Sequence, residues 1–460
     1  MRNVQRAVLC LLVFGPFPAW VQAAEIDNQA DSIDLWHLYQ ESVHSDPRLQ
    51  GAEAQVRTGE GQERASFGQL LPQLSAGASS SRVRREEAFQ NQRYNGENYS
   101  LSLSQALYNP AAWRGFKRYS QLTQQYRAQY DDAKTQSAAD LVQRYFAALA
   151  ADDGLDLIIA QRIATQRSLD RMQALFDRHM STITDVLQLS AKVDSLKTQE
   201  IEARNQTVVA RESLAELVGR SVYQSLKRLD EKAPLAMPQG TEEQWVGLAV
   251  SRNPALQSKQ HAVEAANSGI AEAKAGHLPT LSFNLGAQRS DFVYDNVLAS
   301  SAINTYSATI SLQIPLYSGG STAARVASSY GSRDSAEQDY EAIRRQVIKE
   351  TRMAYLRSRA DLAKIASSRY ALESAVKSRE ASERALSLGV ATAVDVLNAV
   401  QQEYSAKRDY LQARYDFITN QLVLLRWSGG FEDIDVQRIN GWLSVSHPDD
   451  KSGQKATGKG

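Results

Sequence analysis

The sequence predicts a duplicated protein of the fold class α plus membrane β-barrel, in which each copy joins a strand pair to a very long helix. Three observations predict it. Short motifs recur in the same order in both halves, two stretches in each half alternate like strands, and each half holds a long proline-free helical stretch. We therefore expect a unit of helix, strand, strand, long helix and shorter helix, written twice.

Residues 1–23 have the features of a secretory signal peptide. Arg2 and Arg6 precede an apolar run, and the small-residue exit Val21-Gln22-Ala23 follows it. The only cysteine, Cys10, lies inside that run and not at its end, so we expect a mature chain without disulfides, thiolate chemistry or a lipid-attachment cysteine. No later run of about 18 apolar residues is present, which leaves strands as the expected way to span a membrane.

The duplication is marked by four pairs of short motifs. They are Asp46-Pro47 with Asn253-Pro254, Leu71-Pro72 with Leu278-Pro279, Thr182-x-x-Asp185 with Thr392-x-x-Asp395, and Gly219 with Gly429. Ordered anchors of this kind predict two structural repeats, at 24–220 and 241–430. We expect a linker at 221–240 between them and a polar, flexible tail at 431–460.

Each repeat carries two alternating stretches that predict strands. In the first repeat they span about 73–82 and 97–108, and in the second about 280–290 and 304–317. The residues between them are polar, and we expect long loops there. A long helix follows each pair, at about 111–179 and 321–388, which is roughly 100 Å at about 1.5 Å per residue.

The long helices have the spacing of coiled coils that stand in water. Apolar residues recur at intervals of three, four or seven, small residues fill neighbouring positions, and the outer face is rich in Arg, Gln and Glu. After a break, a shorter helix of about 35 residues returns to Gly219 or Gly429. Two shorter helices end to end would match one long helix.

Four strands of about ten residues are long enough to cross a bilayer but too few to close a barrel. An open sheet edge cannot face lipid, so the barrel must be shared between subunits. Tyr108 and Tyr317, with Tyr94, Phe292 and Tyr294 near the loops, are candidates for aromatic belts in contact with outer-membrane lipids. The alternative for these stretches is an ordinary β-sheet core.

Several stretches resemble the TolC family of outer-membrane channels. They are Gly276-His277-Leu278-Pro279-Thr280-Leu281, Ile314-Pro315-Leu316-Tyr317-Ser318-Gly319-Gly320, Leu388-Gly389 with Thr392 to Asn398, and Ala406-Lys407-Arg408 through to Asn420-Gln421-Leu422. The resemblance implies a homotrimer with a shared 12-stranded barrel and a long periplasmic α-helical coiled-coil tunnel. It also implies an outer-membrane exit channel, for type I protein secretion or multidrug efflux, that works with a periplasmic adaptor and an inner-membrane transporter of ABC or RND type.

The resemblance places the narrow tunnel entrance at the helix-to-helix breaks. Asp185 and Asp395, with Thr184 and Asn398, would line this entrance, and six carboxylates in a trimer would favour cations. The alternative is local, because Thr182-x-x-Asp185 and Thr392-x-x-Asp395 also fit a helix-capping signature. Both roles can coexist.

The breaks also depart from the family pattern. Ala391 and Leu386 replace the arginine and tyrosine that tie the closed entrance shut in the archetype, and Asn398 stands in place of a second aspartate. His179 occupies a turn position usually held by glycine, whereas Gly389 keeps it. We expect Arg178, His179, Gly389 and Ala391 to form the tip that docks the adaptor, with an entrance that closes through other contacts, Arg178 among them.

Composition and the absence of known motifs argue against nucleic-acid binding, metal binding and catalysis. The 52 Lys and Arg residues balance 52 Asp and Glu residues, so the basic footprint of a nucleic-acid binder is absent. The histidines form no HExxH pair, and no phosphate-binding glycine loop or GxSxG elbow occurs. We expect no cofactor, no metal and no enzymatic activity.

Two other classes of protein combine long coiled coils with strands. A trimeric adhesin has its strands together at the C-terminus, whereas here the pairs are interior and duplicated. A periplasmic coiled-coil adaptor would use the alternating stretches as a soluble β-domain. Detergent-independent solubility would support the adaptor.

Overall fold

The computed structural model describes residues 32–87, 90–237, 239–294 and 301–444. The predicted signal peptide with Cys10 and residues 445–460 of the predicted tail lie outside the described residues.

The first repeat begins with a split helix, continues into a strand pair and ends in two helices. Its elements are β1 (Ser32–Ile33), α1 (Leu35–Ser45), α2 (Pro47–Gly68), β2 (Gln73–Glu87), β3 (Gln90–Tyr108), α3 (Pro110–Phe176) and α4 (Ile183–Val218). The segment after it contains β4 (Ser225–Leu226) and β5 (Arg228–Leu229).

The second repeat has the same order. Its elements are α5 (Glu242–Arg252), α6 (Pro254–Ala275), β6 (Thr280–Tyr294), β7 (Ser301–Gln313), α7 (Ser321–Ser387) and α8 (Ala393–Trp427), followed by α9 (Asp433–Asn440) and β8 (Leu443–Ser444). The long helices α3 and α7 each have 67 residues. Of the helices in the described ranges, none is both long and apolar enough to cross a membrane.

The strands differ from the sequence prediction at both ends. Residues 83–87 and 90–96, expected to be loop, continue β2 and β3 in an unbroken antiparallel ladder. The ladder satisfies the backbone whatever the side chains are, so polar residues do not end it. In contrast, β7 stops at Gln313, and the stretch to Tyr317 is not strand, because Pro315 cannot donate a ladder hydrogen bond.

In both repeats the shorter helix ends beside the break in the leading helix. Asp46 caps α2 and Asn253 caps α6, each with its side chain accepting a backbone N–H and with proline at the start of the helix. Gly219 ends α4 beside Ser45, and Gly429 follows α8 beside the backbone of Asn253. The shorter helix of each repeat therefore returns to the break in its leading helix.

One apolar core joins both repeats, midway along the long helix α3 and near the ends of α4 and α8. Its largest fully buried side chains come from α1, α3, α4 and α8 and are Leu35, Leu38, Leu141, Tyr145, Phe146, Leu149, Leu214, Phe417, Ile418 and Leu422. Val436 and Ile439 of α9 are buried in the same cluster. The prediction of a flexible tail from 431 is therefore wrong for residues 431–444, because an apolar i, i+3 pair among polar residues docks a short helix.

The segment at 221–240 is held to this core by arginines. Arg211 donates to the carbonyls of Val222 (3.2 Å) and Gln224 (3.0 Å) and pairs with Asp152 at 2.8 Å. β4 pairs with β1, and β5 pairs with β8. The predicted linker thus closes two small sheets across the chain.

The four long strands form one antiparallel sheet in the order β2-β3-β6-β7. Its register places apolar residues on one face, among them Leu74, Ala76, Leu101, Leu103, Phe283, Leu285, Ala287, Tyr306, Ala308, Ile310 and Leu312. The other face carries small polar residues, among them Ser75, Gly77, Ser79, Asn98, Ser100, Ser102, Gly286, Thr305, Ser307 and Thr309. β2 and β7 are the edges.

The register corrects one expectation about the aromatic residues. Tyr94 and Phe292 lie at even positions of β3 and β6, on the polar face with Asn98 and Ser100 and not with Leu101. The register puts the position of Tyr294 on that face too. Tyr94 and Phe292 are therefore not on the apolar face of Leu101, where a lipid-facing belt was expected, because strand side chains alternate and pairing decides the face.

Candidate functional site

The candidate site is the pair of tight turns that join each long helix to its shorter partner. The first covers residues 177–182, between α3 and α4, and the second covers 388–392, between α7 and α8. Each long helix starts beside the sheet, so the turns lie roughly 100 Å from it at about 1.5 Å per residue. This is the far end of the molecule.

Both turns end the long helix with the same hydrogen bonds. The N–H of Met180 donates to the carbonyl of Leu175 at 2.9 Å, and the N–H of Val390 donates to Ala385 at 3.0 Å. This Schellman arrangement requires a left-handed residue just before the donor. Gly389 fills that position with φ 73°, and His179 fills it with φ 60°. Within the described ranges, His179 is the only residue other than glycine with positive φ.

Both turns start the next helix with a threonine cap. Thr182 Oγ1 accepts the Asp185 N–H at 3.2 Å and donates to the Asp185 carboxylate at 2.7 Å. Thr392 and Asp395 repeat these distances, and the Thr392 N–H also donates to Asp395 Oδ2 at 2.8 Å. Hydrogen bonds from the hydroxyl and then the N–H of Thr392 lower the pKa of Asp395. The capping role is thus present in the geometry of both turns.

The two turns lie side by side. Ala393, at the start of α8, is buried in one apolar cluster with Met172 of α3 and with Val186 and Leu189 of α4. Lys192 of α4 also donates to the side chain of Gln401 on α8 at 3.1 Å. Leu386 is half-buried and lines a cleft of about 250 Å³ between the two hairpins, with Arg167 and Arg171 on its wall.

Ion pairs between the helices hold each hairpin together near its end. Arg379 of α7 contacts Glu403 of α8 and pairs with Glu383 at 2.9 Å. Arg162 of α3 pairs with Glu200 of α4 at 2.6 Å. Both sets lie some turns above the site, so the turns themselves remain open to solvent.

The structure brings all the predicted site residues to this end. Most of them are exposed: Arg178, His179, Thr184, Gly389, Asp395 and Asn398. Asp185 and Ala391 are half-buried. The carboxylates are therefore accessible to ions even while they cap helices.

Sequence reasoning missed a set of apolar side chains at the same turns. Five of them are largely exposed: Met180 (72%), Ile183 (50%), Leu187 (59%), Leu388 (77%) and Val390 (77%). Tight turns are normally polar, so apolar residues at both breaks were a signal that could have been used. Exposed apolar groups that cluster in this way mark surfaces for protein contacts.

No group of three or more His, Cys, Asp or Glu side chains in the described ranges is arranged to hold a metal ion. The chemical groups that the turns present to solvent are the carboxylates of Asp185 and Asp395 and the exposed apolar side chains around them. Such a site can attract ions and bind a protein surface.

Comparison with known proteins identifies relatives over almost the whole chain. The sequence profile of the family described as outer membrane efflux protein matches residues 38–220 and 245–430, which are the two repeats. The outer membrane protein TolC of Vibrio cholerae is 28% identical over 435 residues, covering 93% of this chain and 98% of that protein. The alkaline protease secretion protein AprF of Pseudomonas aeruginosa is 28% identical, covering 88% of this chain and 86% of AprF.

Solved structures share the fold. The outer membrane protein VceC of Vibrio cholerae superposes with a TM-score of 0.75 at 18% identity, covering 86% of this chain and 97% of VceC. The MtrE outer membrane channel of Neisseria gonorrhoeae gives a TM-score of 0.72 at 18% identity, covering 86% of this chain and 89% of MtrE. The arrangement of helices and strands is thus that of known outer-membrane channels.

Proposed function

The chain belongs to the outer membrane efflux protein family, and from this premise we propose that three copies of it form a single conduit through the membrane. It is an outer-membrane export channel with a large periplasmic portion. The observation that carries the trimer is the four-stranded sheet with open edges at β2 and β7. Three such sheets supply twelve strands and leave no edge in lipid.

The exposure of the sheet supports this assembly. Leu74, Ile310 and Leu312 on the apolar face are 67%, 67% and 63% exposed. An apolar face of this size needs an apolar neighbour, and lipid provides one. The small polar residues of the opposite face then line the interior, as water-filled barrels require.

The turns form the entrance of the conduit in this proposal. Three subunits place Asp185 and Asp395 as six carboxylates, flanked by Thr184 and Asn398. Ionised carboxylates in a ring attract cations and repel anions. Closure relies on contacts other than those of the archetype, because Ala391 and Leu386 cannot form its bonds.

The same end docks the partners. Arg178, His179, Gly389 and Ala391, with the exposed apolar residues of both turns, form a surface for a periplasmic adaptor. The adaptor connects the conduit to an inner-membrane transporter of ABC or RND type. Export then depends on the transporter, and the channel itself catalyses no reaction.

Two cargo classes fit this role. Two relatives are named for protease secretion, AprF and the PrtF protein of Dickeya chrysanthemi, which is 26% identical over 446 residues. These names favour a polypeptide cargo delivered by type I secretion. Multidrug efflux is the second candidate, favoured by the efflux description of the family.

Disulfide crosslinking between the edge strands tests the shared barrel. Ala76→Cys on β2 is combined with single cysteines at even positions 304–310 of β7, which lie on the same face. We expect oxidation in outer membranes to give covalently linked trimers for at least one pair. Ala76→Cys with Ala287→Cys is the matched control, because β3 separates these strands and no crosslink should form. Monomers for every pair would overturn the proposal.

A further inference from the structure

The polar face of the sheet changes character near its two hairpins. Val83 faces Tyr94 across β2 and β3, Gly96 faces Phe292 across β3 and β6, and Ile303 faces Ser290 across β7 and β6. The register has no shift between residues 94 and 106 of β3. Val83, Tyr94, Phe292 and Ile303 therefore lie on the face that carries Ser100 and Ser102. We call these four residues the collar.

Two of the collar side chains, those of Tyr94 and Phe292, pack against each other. The rings of Tyr94 and Phe292 meet edge to face, with centroids 5.7 Å apart and an interplanar angle of 80°. Gly96 makes room for Phe292, since a Cβ on Gly96 would lie 3.3 Å from two ring carbons. Ile303 remains 50% exposed. The aromatic pair is thus packed, and Ile303 leaves an apolar side chain exposed on the same face.

The opposite face at this height is charged, which separates the collar from lipid. Glu97 and Asp291 are paired neighbours on the face of Leu101, and Arg289 lies 3.4 Å from Asp291. Charged residues of both signs do not face the hydrocarbon of a bilayer. The hairpin ends therefore rise beyond the apolar belt, and the collar faces inward.

The collar lies at the outer mouth of the conduit. The helices leave the sheet at Gln73, Tyr108, Thr280 and Gln313, and the hairpins are at the opposite ends of the strands. If the helices stand in the periplasm, the hairpins are on the exterior. Deeper in the barrel the same face carries Ser, Gly, Thr and Asn, which are smaller and polar.

We propose that three copies of the collar form a filter that selects by size and polarity where cargo leaves the channel. This inference rests on the proposed shared barrel. Bulky apolar side chains narrow the lumen. They also take the place of polar side chains that could hydrogen-bond to a solute, and apolar constrictions of this kind hinder the passage of hydrated species. Cargo with apolar or aromatic segments contacts the rings favourably. Bulky hydrated solutes from the exterior are held back.

Cysteine labelling from the exterior tests the collar. Because Cys10 is the only cysteine of the sequence and lies in the predicted signal peptide, Ser100→Cys provides one thiol on the inner face. It lies six residues below Tyr94, about 20 Å along the strand. Intact cells are treated with a small and a bulky thiol reagent, both hydrophilic. We expect Tyr94→Ser with Phe292→Ser to raise the labelling rate of the bulky reagent about fivefold and to leave that of the small reagent unchanged.

The control variant is Val293→Ser, which removes an apolar side chain at the same height from the opposite face. It should change neither rate. An unchanged rate for the bulky reagent in the double variant, or an equal rise in the control, overturns the collar. If Ser100→Cys resists even the small reagent, the polar face is not a lumen, and the shared barrel fails together with the collar. The unchanged rate of the small reagent shows that the variants are assembled.

Discussion

The hydroxyl of Tyr415 on α8 donates a hydrogen bond to the carboxylate of Asp153 in the middle of α3. Both residues are buried, and Arg228 approaches the same carboxylate at 3.3 Å. Desolvation raises the pKa of Asp153 above its ordinary value, and the hydrogen bond from Tyr415 opposes that rise. The Asp153 carboxylate in the first repeat therefore contacts both the second repeat, through Tyr415, and the segment between the repeats, through Arg228.

Tyr415→Phe should destabilise the protein by about 1.5–3 kcal/mol, the typical loss for a buried hydrogen bond to a charged group. Without its donor, Asp153 has a still higher pKa. A raised pKa means that the folded protein disfavours the ionised carboxylate, so the free energy of unfolding falls as pH rises through the pKa of Asp153. Because this pKa is higher in the variant, the loss of stability caused by Tyr415→Phe should be larger at pH 8 than at pH 5. Thermal unfolding followed by circular dichroism measures this. Tyr370→Phe, whose side chain is 69% exposed, is the control and should change little. A defect independent of pH would contradict the role of the carboxylate.

His179→Gly should stabilise the first turn, and Gly389→Ala should destabilise the second. His179 has φ 60° and Gly389 has φ 73°, and a left-handed backbone costs a residue with a Cβ roughly 1 kcal/mol. The Met180 and Val390 amides report the two turns, because each donates the bond that closes the helix. Hydrogen exchange should slow at Met180 in the first variant and quicken at Val390 in the second. Equal exchange in all forms would show that the turns carry no strain.

Gly429→Ala should be more damaging than Gly219→Ala, although the two glycines are equivalent in the repeats. A Cβ on Gly429 would lie 2.5 Å from the carbonyl of Arg252, which is backbone and cannot move aside. At Gly219 the nearest atom is Ser45 Cβ at 3.2 Å. We expect a loss of about 3 kcal/mol or more for Gly429→Ala, and about 1–2 kcal/mol for Gly219→Ala from the left-handed backbone alone. Thermal unfolding midpoints of the two variants compare them, and equal midpoints would refute the difference.

Asp185→Asn together with Asp395→Asn should reduce cation selectivity without disturbing the helix starts. Asparagine still accepts the hydrogen bonds of Thr182 and Thr392 but carries no charge. The reversal potential in a salt gradient measures selectivity, and it should move towards zero. Asp334→Asn, an exposed change far from the turns on α7, should leave it unchanged. If the double variant had the same reversal potential as the unchanged protein, the role of these two aspartates would be limited to helix capping.

Local spacing was enough to predict the repeats and the helices. The long helices end within three residues of their predicted limits, because the signals are local: each long stretch is free of proline, and a Thr-x-x-Asp cap marks the start of the helix that follows. The extent of the strands was not accessible in this way. Residues 90–96 are polar and were expected to be loop, yet pairing with β2 and β6 makes them strand.

Properties that depend on packing could not be predicted from the sequence. The face on which Phe292 lies depends on its pairing with Gly96, and a shift of one residue would reverse it. The exposure of Leu388 and Val390 depends on how the two hairpins pack. The docking of Val436 depends on the distant helices α3 and α8. The capping contacts of Asp185 and Asp395 were predictable, but the apolar rim around them was not.

Single-channel recording of the purified protein in a planar bilayer, after its mass has been measured in detergent, tests the central claim most directly. The account predicts a trimer that gives discrete, cation-selective openings, because twelve strands close a polar lumen and carboxylates ring its entrance. A protein that remains soluble without detergent and never inserts would contradict it, and would favour a periplasmic coiled-coil adaptor instead.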